Sequence, residues 1–289
     1  MKASVSLYSF NQYIRAGKLD VFGAIDKAAE MGFEGMEFTV LLPDAPKNER
    51  IGYARKVRAA VEAHGMAVVA YLVSAHLWNS DGDLLRQEIE RVKNEIDIAE
   101  ALGAPLFRHD LTTELDKAGA GRSFIGMIPH LAETVREIAD YAAAKGIRTC
   151  SENHGYIAQD SYRLEMLCAA VNHDNYGILA DFGNFMFADE DSAVAVSRLA
   201  NFAFHAHAKD FLPSVGGTFV TRTGNRITPV AIGDGTVPVK RCLGILARAG
   251  YDGWVTIEYE GTEDCISAVG RSLVRLNEYI KEAEAEADE

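Results

Sequence analysis

The stretch ILARAGYDGWVTIEYEG, residues 245–261, reads as a helix end, a glycine, an aromatic residue, an acidic residue, a second glycine and then a strand. The same order recurs near the other end of the chain in AAEMGFEGMEF, residues 28–38. A glycine after a helical run supplies the left-handed residue on which helices commonly end. The alternation in WVTIEYE has the period of two expected of a strand with one face buried. A helix-to-strand unit at both ends of the chain predicts that strand and helix alternate throughout.

Working outward, eight β-like runs appear. They are ASVSLY (3–8), GMEFTV (35–40), MAVVAYLV (66–73), APLFRHD (104–110), IRTCSE (147–152), YGILADF (176–182), FAFHAHAKD (202–210) and WVTIEYE (254–260). Amphipathic helical patterns separate them, such as VFGAIDKAAEMG (21–32), RQEIERVKNEIDIAEALG (86–103) and PHLAETVREIADYAAAKG (129–146). Eight strands each followed by a helix, without a break in composition, predict an α/β chain folded as one (β/α)₈ barrel domain over residues 1–289. About 250 residues is typical of that architecture. The rival, a doubly wound open sheet, fits less well because the first strand-to-helix turn, LYSFNQY, carries no glycine-rich phosphate loop. The connection after the seventh strand, residues about 211–237, is long and irregular in pattern and is expected to lie over the catalytic face. The GDG at 233–235 reads as a turn, too short to carry a phosphate site. The acidic tail KEAEAEADE, residues 281–289, predicts a solvated, fraying helix end.

Composition narrows the function. Hydrophobic residues make up 48% and charged residues 25%, enough for a large core. With 29 Lys+Arg against 42 Asp+Glu the formal net charge is −13, which argues against nucleic acid or an anionic membrane as the partner. Cys150, Cys168, Cys242 and Cys265 form no C-x-x-C pair, so reduced thiols and a cytoplasmic location are expected. No run approaches the roughly 20 apolar residues of a membrane span.

In such a barrel the chemistry sits at the C-terminal ends of the strands. Those ends lead to His76, to Arg108, His109 and Asp110, to Glu152, Asn153 and His154, to Asp181, to His205, His207 and Lys209, and to Glu258 and Glu260. Alternation turns Ala206, Ala208, Val255 and Ile257 toward the helices, and His205, His207, Lys209, Glu258 and Glu260 toward the barrel axis. Glu152, Asp181, His207 and Glu258 then meet around one cation. Oxygen-rich ligation with a single histidine suits Mn²⁺, Mg²⁺ or Co²⁺ better than a structural zinc. A divalent ion there polarises a carbonyl and stabilises an enediolate, which makes Glu152 and Glu258 candidate bases.

The segments SENHG (151–155), DFGN (181–184), HAHAKD (205–210) and GYDGWVTIEYEG (250–261) resemble the signatures of the xylose-isomerase-like TIM-barrel superfamily, the sugar phosphate isomerase/epimerase group. The resemblance covers nearly the whole chain and is strongest from about 147 to 262. It implies a metal held by Glu152, Asp181, His207 and Glu258, with Mn²⁺ expected, and proton exchange by the two glutamates. Asn184 stands where ketose epimerases carry a histidine. No arginine follows the metal histidine closely; the nearest are Arg222 and Arg226, in the long connection. Similar segments occur in relatives acting on inososes, dehydroshikimate or 3-keto-glycosides. The expectation is therefore a metal-dependent sugar isomerase or epimerase, with a lyase on the same scaffold as the alternative. A third reading, a DNA-repair enzyme like endonuclease IV, conflicts with the acidic charge. The substrate is expected to be a small sugar or keto-sugar, and the resemblance implies pairing of barrel helices into a homo-oligomer. His154, Asn184, Lys209, His109, His76 and Arg222 are the candidate substrate contacts. Lys209 reads equally as a charge-balancing group, Glu260 as a charge balance or helix cap, and His205 as a core histidine or a support beneath His207.

Overall fold

Eight parallel strands close into a barrel in a computed structural model that describes residues 1–287. They are β1 (Lys2–Ser6), β2 (Gly35–Thr39), β3 (Ala67–Val73), β4 (Leu106–His109), β5 (Arg148–Glu152), β6 (Tyr176–Asp181), β7 (Ala203–Ala208) and β8 (Trp254–Ile257). Each pairs with its sequence neighbour, and β8 pairs with β1 to close the ring. The repeated helix–glycine–strand unit forms as its pattern predicts: Gly32 and Gly250 adopt φ of 89° and 81°, open to glycine at no steric cost. At the opposite helix ends, the Asp20, Asp81, Asp160 and Asp191 carboxylates accept backbone N–H bonds from the first turn. Each such cap is worth about 1 kcal/mol.

Two apolar layers fix which way the strands face. Ala206, Ala208, Val255 and Ile257 join the continuous core between barrel and helices. Inside the barrel, Val69, Leu72, Leu106, Cys150 and Leu179 form a separate apolar floor, packed against Phe204 and Trp254. With its floor filled, the barrel gathers its charged inward side chains toward the mouth, where the strands end, above the buried pair Ser4 and Thr256. The four cysteines are buried and unpaired. No helix among the described residues is long and apolar enough to cross a membrane.

Two segments differ from the sequence expectation. The region after β7 is ordered: Asp210–Pro213, Phe219–Val220 and Arg226–Val230 form a three-stranded antiparallel sheet. Edge-to-face contacts among Phe187, Phe211 and Phe219 anchor it. Asp189 also ties it down, accepting from Thr221 Oγ1, the Thr223 N–H and Asn225 Nδ2. The GDG turn is occupied from within, because the Asp210 carboxylate accepts the N–H groups of Gly233, Gly235 and Val237 at 2.9–3.0 Å. The acidic tail continues the helix Cys265–Ala287: Ala283 is fully buried, and Lys240 pairs with Glu282 and Glu286. Residues 288–289 of that tail lie outside the described residues.

Candidate metal centre

Glu152 and Asp181 are the last residues of β5 and β6, His207 lies one residue before the end of β7, and Glu258 directly follows β8. These four neighbouring strands form one arc of the barrel, with the two glutamates at its ends. One donor atom from each residue lies within 4.8 Å of all the others. His207 Nδ1 is 3.6 Å from Asp181 Oδ2, 3.8 Å from Glu152 Oε1 and 3.5 Å from Glu258 Oε2. Among the described residues, Asp181 Oδ2 and His207 Nδ1 are buried without a hydrogen-bond partner. Native interiors rarely leave such atoms unpaired. Two facing each other inside a ring of carboxylates is the donor arrangement a divalent cation satisfies.

The remaining ligand atoms are held. Asp181 Oδ1 accepts the N–H groups of Gly183 and Asn184, both at 2.9 Å. Asn153 brackets the Asp181 backbone, accepting its N–H and donating to its carbonyl. Asn184 Nδ2 donates to Glu152 Oε1 at 2.8 Å. Arg108 Nε donates to Glu152 Oε2 at 2.7 Å, its Nη2 contacts the same oxygen, and its Nη1 lies 3.2 Å from Asp110 Oδ1.

Lys209 Nζ lies 2.6 Å from Glu258 Oε2, 3.4 Å from Asp181 Oδ2 and 3.5 Å from Glu260 Oε1. Burial alone would discharge this ammonium, but the Asp181, Glu258 and Glu260 carboxylates hold its pKa well above the ordinary lysine value. Burial likewise disfavours charge on Glu258, yet Lys209 and His207 keep its pKa well below the carboxylate range. His207 is raised well above 6.5, burial being overcome by Glu37 and Glu258. Glu260 is raised by its burial, with Lys209 offsetting part of the effect.

Above the cluster opens a cavity of about 310 Å³, lined among others by Tyr8, Arg108, His154, Lys209, Glu258 and Glu260. Of the expected substrate contacts, His154 and Lys209 line it. His154 Nδ1 is 3.1 Å from Asp110 Oδ1. Asn184, just beyond the end of β6, is not among the cavity-lining residues and lies against Glu152 and Lys209. Three residues depart from expectation. His109 faces the helix layer, stacked on Tyr176 beside Phe107, because it shares the outward parity of Phe107; burial pushes its pKa down to about 4. His76 lies in the loop beyond β3, away from the cavity lining, with its backbone N–H donating to Glu88. Arg222 is turned to Asp160 Oδ2 at 2.8 Å and the Tyr156 carbonyl.

Sequence reasoning also missed Glu37. It points inward from β2, and its Oε2 lies 3.0 Å from both His205 Nε2 and His207 Nε2. A charged residue between Met36 and Phe38 in GMEFT was the available signal, since both neighbours belong to the outer core. His205 Nε2 is also 3.1 Å from Thr256 Oγ1, which places His205 beneath His207 as support.

Residues 25–284 match the family described as a xylose isomerase-like TIM barrel. The chain belongs to this family. Among xylose isomerase-like relatives, the inosose dehydratase of Yersinia enterocolitica is 24% identical over 287 residues, covering 92% of this chain and 91% of the relative. Other inosose dehydratases match over about half of their own length, 53% in two cases. Among solved structures, the probable 3-DHS dehydratase AsbF of Bacillus anthracis superposes with a TM-score of 0.76 at 17% identity, over 96% of this chain and 99% of that one. D-psicose 3-epimerase of Clostridium cellulolyticum H10, solved with D-tagatose, gives 0.72 at 18% identity, over 98% and 99%. These structural likenesses establish a shared fold.

Proposed function

We propose that this protein is a divalent-metal-dependent enzyme that removes the proton beside the carbonyl of an unphosphorylated keto-sugar or inosose-like polyol and returns it, isomerising or epimerising the substrate. The observation that carries the reading is the arc itself: Glu152 and Glu258 stand at its two ends, each engaged by its own cation, Arg108 and Lys209. Glu152, Asp181, His207 and Glu258 would hold the ion, and an oxygen-rich set with one imidazole favours Mn²⁺. When bound, the ion supplies Lewis acidity that lowers the cost of charge on the substrate oxygen. Glu258, kept anionic by Lys209 and His207, accepts the proton from carbon. Glu152, at the other end of the arc, takes up a proton from solvent and delivers it to the opposite face when the configuration inverts, and Glu258 releases its own to solvent. His154 and Tyr8, on the cavity wall, orient the substrate hydroxyls.

The charges around the cavity support a neutral substrate. Arg108 is taken by Glu152 and Asp110, and Lys209 by three carboxylates. A phosphate would have to break those pairs while facing an excess of buried negative charge.

A lyase outcome is the second reading, favoured by Glu260. Its carboxyl, raised by burial, sits 3.5 Å from Lys209, which also touches the base Glu258. A second carboxyl group beside the base, bridged to it by Lys209, suits assistance to a departing hydroxyl or glycosyl group after proton removal. The inosose dehydratase relative supports this second reading, and D-psicose 3-epimerase, which shares the fold, is in keeping with the first. Proton NMR in D₂O of the Mg²⁺-loaded protein with ketoses, inososes and 3-keto-glycosides separates them. Loss of one C–H signal with an epimer or isomer appearing supports the first reading, and elimination products support the second. No exchange with any of them, in protein shown to hold its ion, overturns both.

A further inference from the structure

Glu37 is fully buried, and among the described residues its side chain finds two hydrogen-bond partners, both imidazoles: Oε2 lies 3.0 Å from the Nε2 atoms of His205 and His207, and Oε1 has no hydrogen-bond partner. A carboxylate in such a place is expensive to desolvate, so its retention calls for a physical role. An ionised carboxylate only accepts hydrogen bonds, so both Nε2 atoms must carry the hydrogen. For His207 this leaves Nδ1, the atom 3.5–3.8 Å from Glu258, Asp181 and Glu152, as the one that would give up its hydrogen and offer a lone pair when a cation binds. His205 holds the same Glu37 oxygen from below. Its Nε2 also meets Thr256 Oγ1, which is 2.6 Å from Ser4 Oγ, so polar side chains from the neighbouring strands β7, β8 and β1 line up beside the carboxylate on β2.

We propose that Glu37 is a positioning residue that selects Nδ1 of His207 as the metal-binding atom and fixes its ring in the arc. The proposal rests on the metal reading above. Removing such a partner of a ligating histidine typically weakens metal affinity 10- to 100-fold.

The test is calorimetric titration of the full-length protein with Co²⁺, together with the visible spectrum of the bound ion, comparing the native chain with Glu37→Gln. The expected result is Co²⁺ bound at least tenfold more weakly, with shifted absorption bands. Co²⁺ affinity within threefold of native and an unchanged spectrum overturn the proposal, whatever happens to thermal stability. Should Glu37→Gln fail to fold, the native chain decides: ¹⁵N-histidine NMR of the Zn²⁺-loaded protein, with His207 assigned by its loss in His207→Gln. Hydrogen on Nε2 with zinc on Nδ1 sustains the proposal, and the reverse overturns it. Failure of the native protein to bind either ion is a different outcome. It removes the metal reading itself, and the proposal with it.

Discussion

Lys209 and a divalent ion would draw on the same oxygens, and that competition predicts an unusual stability effect. In Lys209→Met the ammonium 2.6 Å from Glu258 Oε2 and 3.4 Å from Asp181 Oδ2 is gone, while the carboxylates stay buried. Breaking a buried ion pair from one side costs about 3–5 kcal/mol, and that is the loss expected in chelator. In Mn²⁺ the ion neutralises the same oxygens, so part of the loss returns. By linkage, the difference between the two losses equals RT ln of the ratio of metal dissociation constants. We expect at least about 1.4 kcal/mol to be recovered, equivalent to a tenfold tighter metal site in the variant. Urea unfolding of both proteins, with EDTA and with saturating Mn²⁺, measures all four stabilities. An equal loss in both buffers would refute the shared-oxygen argument, and a larger loss in Mn²⁺ would reverse it.

Other consequences follow from the same geometry. Asp181→Asn and His207→Gln should each abolish stoichiometric Mn²⁺ binding in calorimetry; retained binding would place the ion elsewhere. Glu258→Gln should slow deuterium exchange at the substrate carbon by about 10²–10⁴-fold, the usual contribution of a general base, read by NMR. His109, buried at a pKa of about 4 against an ordinary 6.5, takes up its proton more readily when unfolded. Native stability should therefore fall as pH drops from about 6.5 to about 4, by an amount on the order of 3 kcal/mol. His109→Gln should flatten that part of the curve, and an unchanged slope would put the imidazole in a wetter site. Phosphorylated ketoses should exchange more slowly than their neutral counterparts under equal conditions, and faster exchange would contradict the charge argument for the cavity.

The helix–glycine–strand unit, the count of eight strands and the inward parity of His205, His207 and Glu258 could all be read from local pattern. Each follows from constraints spanning a few residues: a glycine at positive φ, a period of two, an apolar face. The four proposed ligands were legible for the same reason, since each stands at or beside the end of a strand whose alternation points it inward. Other features depend on contacts that no window of sequence contains. Glu37 meets His207 across 170 positions because barrel closure brings β2 and β7 around one axis. His109 looked like a mouth residue by position, but the parity it shares with Phe107 sends it into the helix layer. Arg222 carried the right charge for a substrate contact, but in the folded chain it meets Asp160, 62 positions away, instead. Local pattern decides which face a side chain takes; only closure of the sheet decides what that face meets.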